Sequence, residues 1–210
     1  FPVSSGRCTR GAYMQLVKMD SQLSEMINCD YLLVIDSEGL MSRAVDRPNY
    51  DNELATFIIG LSDLTLVIIK GEGKEMEDVL PIAIHVFLCM DKIGEQEACW
   101  FVHQDIMDVD AAQKNEVEFD QFVKKLDEKT LVASKHAEQK HKYTTFRDVL
   151  QYDQQHDNFF VPGLWDGTPP MGKINKLYCQ KTQEIKYRVL NRIKAVSKPY
   201  GNYKQRTNHM

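Results

Sequence analysis

The chain has 210 residues, 43% hydrophobic and 27% charged, the balance expected of one folded domain. That composition excludes a fully disordered chain, and no apolar run reaches the roughly 18 residues that a membrane-spanning helix needs. With 26 basic and 30 acidic residues the net charge is −4, the wrong sign for a dedicated nucleic-acid binder.

The chain opens on Phe1-Pro2-Val3-Ser4-Ser5-Gly6, which has no basic stretch before an apolar one and is not a signal peptide. It starts on Phe1 rather than methionine, so the expectation is a piece of something longer. Ser4 to Gly11 is a small-residue loop with two arginines. Such a loop suits phosphate oxygens, and the hydroxyl of Thr9 suits magnesium, although an ordinary loop leading into a helix has the same composition.

Cys29 to Asp36 is a nearly continuous apolar run that stops at Asp36-Ser37-Glu38-Gly39. It reads as a strand covered on both faces, as in a parallel sheet. Asn52 to Leu61 follows polar residues that can cap a helix start, and Leu64 to Ile69 is a second strand-like run closed by Lys70-Gly71. Residues 76–90 are apolar nearly all round, which suggests a buried helix with His85 as a core histidine and Pro81 either in its first turn or marking a kink. Trp100 to His103 is a third strand. Phe119, Phe122, Val123 and Leu126 mark an amphipathic helix, and Phe159 to Val161 is a fourth strand ended by Pro162-Gly163. Tyr178, Ile185, Val189, Ile193 and Val196 mark a last helix, and the polar tail 198–210 is expected to be frayed.

Strand–helix alternation argues for an α/β domain with a mostly parallel sheet. Such sheets hold ligands at the carboxyl ends of their strands, which directs attention to Asp36–Gly39, Lys70–Gly71 and His103–Asp105. Asp36-Ser37-Glu38-Gly39 fits D-x-x-G. In nucleotide-hydrolysing domains that aspartate holds a magnesium-bound water, and the glycine lets a backbone N–H approach the γ-phosphate. The spacing alone arises about once by chance in a chain this long, and a polar turn after a strand is the plain alternative. A carboxylate at Asp105 has the chemistry to accept from guanine N1–H and its amino group; a solvent-exposed strand end is the alternative there.

Other motifs fail. Gly71-Glu72-Gly73-Lys74 lacks the first glycine and the final Ser/Thr of a phosphate loop, because those places hold Ile68 and Glu75. G-x-S-x-G and G-x-G-x-x-G are both absent, which argues against a serine hydrolase and a dinucleotide enzyme. The five cysteines form no C-x-x-C pair, so reduced thiols are expected rather than zinc or a disulfide framework. Lys135, His136, Lys140, His141 and Lys142 read as a solvated basic cluster.

Taken in order, FPVSSGRCTRG at 1–11, DYLLVIDSEGL at 30–40, DNELATFIIGLSDLTLVIIKGE at 51–72, FVHQDIMDV at 101–109 and VPGLWDGTPPM at 161–171 resemble the G domain of the interferon-inducible very large GTPase family. That resemblance implies a Ras-like, dynamin-related α/β domain over 1–197, without its phosphate loop and first strand, closed by a C-terminal helix. It implies GTP and Mg2+ as ligands and hydrolysis to GDP and phosphate in the intact protein. Thr9 then matches the switch I threonine on magnesium and the γ-phosphate. Asp36 and Gly39 match the switch II pair, with Asp36 reaching magnesium through water, and Ser37 stands where threonine is common. Asp105 matches the guanine-reading aspartate, preceded by Gln104 in place of arginine. The resemblance further implies nucleotide-dependent self-association, no nucleic-acid partner and a cytoplasmic or nuclear location. The alternative is a pseudo-GTPase scaffold that keeps the fold without turnover. The absent first strand belongs between the strands at 30–36 and 64–70. This chain alone is therefore expected to be poorly stable and to bind GTP weakly or not at all.

Overall fold

The structure is a computed structural model, and it describes residues 11–38, 50–70, 84, 98–106, 121, 123–132, 144–149, 156–168 and 170–197. The chain divides into two compact units, residues 1–38 with 184–210, and residues 39–183.

The first unit is built on a hairpin. Strand β1 (Ala12–Lys18) pairs antiparallel with β2 (Tyr31–Ser37), from Ala12 opposite Ser37 to Lys18 opposite Tyr31. The short helix α1 (Ser21–Ile27) forms the link between them. Asp20 caps it by accepting from the Leu23 N–H at 2.8 Å, which satisfies one of the orphan donors of the first turn. Asn28 ends it in the left-handed region at φ 55°, a conformation asparagine tolerates better than most residues. The Met19 N–H to Asp30 carbonyl bond closes the ladder at this end, and the Glu38 N–H to Gly11 carbonyl bond closes it at the other, both at 2.9 Å.

In the second unit, helix α2 (Tyr50–Leu61) buries Ala55 and Ile59, one turn apart, and carries Asp51 and Glu53 in its first turn, where the helix dipole favours acids. Strands β3 (Leu64–Lys70), β4 (Ala98–Gln104) and β5 (Asn158–Phe160) form a parallel sheet in the order β3-β4-β5. Lys70 lies opposite Gln104, and His103 opposite Phe160. The central strand is buried from Cys99 to His103, because both of its faces are covered. Alternate side chains reach opposite faces. Phe101 meets the ring of Phe146 edge-on at 6.2 Å, while Trp100 meets Phe159 at 5.4 Å.

A helix over 123–132 (α3) buries Leu126 and Thr130 completely, and the Thr130 hydroxyl donates to the Leu126 carbonyl. Asp127 on α3 accepts from the Phe146 N–H at 2.8 Å, so it caps α4 (Phe146–Val149) and ties the two helices together. Beyond β5, strand β6 (Trp165–Asp166) pairs antiparallel with β7 (Lys173–Ile174). Asn175 then caps the long helix α5 (Lys176–Val196). Among the described residues no helix is long and apolar enough to cross a membrane.

The structure bears out the strands expected at 64–69, 100–103 and 159–161, the helix at 52–61 and the last helix. It corrects three expectations. The run ending at Asp36 belongs to an antiparallel hairpin, and its alternate residues Tyr31 and Leu33 are about half exposed rather than covered on both faces. A strand, not a helix, follows Gly11. His103 is buried at 6% exposure, so the end of the third strand is not solvent-exposed until Asp105. Ile84, within the apolar stretch 76–90, is helical and fully buried. The rest of that stretch, with His85, lies outside the described residues, as do 71–74, 135–142 and 198–210.

Candidate functional site

In the second unit the three parallel strands deliver Lys70, Gln104 and Phe160 to one edge of the sheet, the carboxyl edge. Asp105 stands directly beyond β4 and is exposed. Its φ of 58° lies in the left-handed region, which costs a non-glycine residue free energy and has to be held by its surroundings.

The segment after β5 does the holding. The Val161 N–H donates to the His103 carbonyl at 2.8 Å, and the Ile106 N–H donates to the Val161 carbonyl at 3.2 Å. One residue thus grips the chain on both sides of Asp105. The next turn brings Gly163 under the carboxylate: a methyl placed there would lie 3.8 Å from Asp105 Oδ1, in ordinary van der Waals contact.

Immediately behind Asp105, the imidazole of His103 stacks on Phe160 with ring centres 4.8 Å apart and planes 14° from parallel. Burial pushes the His103 pKa down to about 4, and the neighbouring Asn158 side chain opposes part of that shift. A ring in that state is neutral at physiological pH. Elsewhere in this unit, Asp148 accepts from the Thr144 and Thr145 backbone N–H groups at 2.8 Å each, and these bonds hold its carboxyl below the usual aspartate range.

In the first unit, Asp36 sits in the penultimate pair of the ladder, opposite Tyr13. The Glu38–Gly11 bond beyond it joins the end of the RCTRG stretch to the D-x-x-G turn at the mouth of the hairpin. Gly11 has φ 69°, where a side chain would be strained. Gly11 and Glu38, at the ends of two segments singled out separately in the sequence, are thus neighbours across one ladder. Asp36 and Asp105 belong to different units. Thr9 and Gly39 lie outside the described residues.

The grip of Val161 and the approach of Gly163 to Asp105 were missed in the sequence. Their signal was Pro162-Gly163 directly after the last parallel strand, at the edge where ligands gather.

A parallel sheet with a held carboxylate at its carboxyl edge is the arrangement of α/β domains that take ligands at that edge. Residues 1–179 match the URGCP-like GTPase domain, and the chain belongs to that family. It is 39% identical over 194 residues to the mouse protein "Interferon-induced very large GTPase 1", covering 91% of this chain and 8% of that protein. The human counterpart is also 39% identical, over 96% of this chain and 8% of that protein. The bovine "Up-regulator of cell proliferation" is 32% identical over 92% of this chain and 21% of that protein. The chain therefore spans only a small part of the curated relatives it matches. No solved structure matches it. The architecture is accordingly Ras-like α/β, and the chain is of a GTP-binding domain family.

Proposed function

We propose that this chain carries the base-reading and switch elements of a domain that binds GTP with magnesium and hydrolyses it to GDP and phosphate. The observation that carries this reading is Asp105: an exposed carboxylate at the carboxyl end of a central parallel strand, gripped on both sides by Val161, in a chain of the GTPase-domain family. A carboxylate so placed accepts from guanine N1–H and the 2-amino group, two charge-assisted hydrogen bonds in one plane.

Asp36 and Gly39 serve the phosphate and magnesium side of the site, and Thr9 serves as magnesium ligand and γ-phosphate sensor. The oxygen chemistry of Asp36 fits magnesium, which is bound by hard carboxylate and water oxygens. The contact between Gly11 and Glu38 supports this assignment, since these residues lie two positions after Thr9 and one before Gly39 in the sequence. When bound, magnesium neutralises charge on the transferring phosphate. The chain's own contribution is to hold the base, the metal-bound water and a backbone N–H toward the phosphate.

Nucleotide-dependent self-association and a cytoplasmic or nuclear location belong to the same proposal, as does the absence of a nucleic-acid partner. The test is Asp105→Asn in the full-length protein. GTP affinity is expected to fall about a hundredfold while xanthosine triphosphate affinity rises, because the amide donates to the 2-oxo group that the carboxylate repels. Equal loss for both nucleotides refutes the base-reading role. Phosphate release from GTP by the full-length protein separates hydrolysis from a scaffold role, in which GTP binds without turnover.

A further inference from the structure

We propose that the stacked pair His103–Phe160 is the positioning element for Asp105, fixing the register that lets Val161 hold the carboxylate in its turn. This rests on Asp105 being the base-reading residue, and it adds what keeps that residue in place.

Strand β5 has three residues, and its ladder on β4 comprises three opposed pairs, Phe101–Asn158, Val102–Phe159 and His103–Phe160. A ladder that short specifies its register weakly through backbone bonds alone. Side chains across the pairs must supply the rest. The His103–Phe160 pair is the last before the strand ends, and its rings lie flat on each other at 4.8 Å and 14°. The Trp100–Phe159 contact lies on the opposite face, is tilted at 52°, and is further from Asp105.

A two-residue slip of β5 preserves which side chains face which way, so facial burial does not forbid it. It does move Val161 away from His103 and Ile106. Both bonds that flank Asp105 use Val161, so a slip releases them together. Asp105 then loses the two flanking bonds that brace its costly φ of 58°. The flat stack resists the slip because a two-residue displacement would set Asn158 or Pro162, in place of the Phe160 ring, opposite His103. His103 touches no nucleotide in this account; it acts through the register.

The test uses the full-length protein with His103→Leu, His103→Phe and Asp105→Asn, and two readouts. One is the affinity ratio of GTP to inosine triphosphate, which lacks only the 2-amino group. The other is amide hydrogen exchange at Ile106 and Val161 without nucleotide, compared with the Met19 amide of the first unit, which bonds to the Asp30 carbonyl at 2.9 Å and takes no part in the β4–β5 ladder. His103→Leu is expected to lower the ratio about tenfold and to speed exchange at Ile106 and Val161 about tenfold, with Met19 unchanged. His103→Phe keeps a flat ring and is expected to restore both.

A wild-type ratio in a folded His103→Leu protein overturns the proposal, as does a folded His103→Phe protein that has lost selectivity. An unchanged ratio in Asp105→Asn instead defeats the base-reading role. The exchange readout then decides the positioning claim on its own: faster exchange at the two amides supports it, and unchanged exchange overturns it.

Discussion

Acid is the sharpest perturbation of the second unit, because His103 is a histidine buried in its neutral form. Its pKa is about 4 in the fold against 6.5 for an unconstrained imidazole. Between those values the unfolded chain binds a proton that the folded one refuses, so stability rises with pH across this window. The contribution is fully present above pH 6.5 and is lost progressively as pH falls toward 4. The full span corresponds to about 3 kcal/mol, and the step from pH 7 to pH 5 to about 2 kcal/mol. His103→Phe removes the titrating group while retaining the ring against Phe160. Amide exchange of the segment 98–106 reports the opening free energy of β4 at each pH. The wild type is expected to lose about 2 kcal/mol more than the variant between pH 7 and pH 5. Carboxylates titrating in the same range affect both proteins and cancel in the difference. Identical losses in wild type and variant refute the burial argument.

The remaining predictions concern local geometry and the site. A methyl at Gly172 would lie 3.1 Å from the Gly167 carbonyl oxygen and 3.2 Å from its carbon, both backbone atoms, so Gly172→Ala should cost about 1–3 kcal/mol and speed protease cleavage of the 165–174 hairpin. Gly163→Ala meets only ordinary contact at 3.8 Å and should change stability by less than about 0.5 kcal/mol in the same assay. Asp20→Ala removes the cap of α1 and should lower the local opening free energy of residues 21–27 by about 1 kcal/mol in hydrogen exchange, with no change there if the Leu23 bond contributes nothing. Asp105→Asn should exchange GTP preference for xanthosine triphosphate preference, measured as competing binding to the full-length protein.

The parallel half of the fold was legible because its strands are short apolar runs bounded by turn residues. Leu64–Ile69 and Trp100–His103 need cover on both faces, and continuous hydrophobicity signals that need. The same logic misled at Tyr31–Ser37, where the run is equally apolar yet forms an antiparallel hairpin with Tyr31 and Leu33 half exposed. Composition alone does not separate those cases, since the partner strand Ala12–Lys18 mixes Gln15 and Lys18 with apolar residues and shows no clean alternation. The helix α1 has only seven residues, too few for periodicity, although Asp20 and Asn28 at its ends were a capping signal. Strands β6 and β7 have two residues each and left no pattern to find.

At the site, the strand-end position of Asp105 was readable from the run before it. Its left-handed backbone was not, because aspartate adopts that conformation only occasionally, and the residue that braces it, Val161, is 56 positions along the chain. The burial of His103 was hidden for a similar reason: it depends on a stacking partner contributed by β5.

The most direct measurement is binding and turnover of magnesium–GTP by the full-length protein beside the 210-residue chain. Saturable binding by the full-length protein, with release of GDP and phosphate, and weak or no binding by the chain alone, is the predicted result. Ile68, about 58% exposed on β3, the outer strand of the described sheet, is consistent with an edge that needs further cover. A folded full-length protein that binds no GTP contradicts the account.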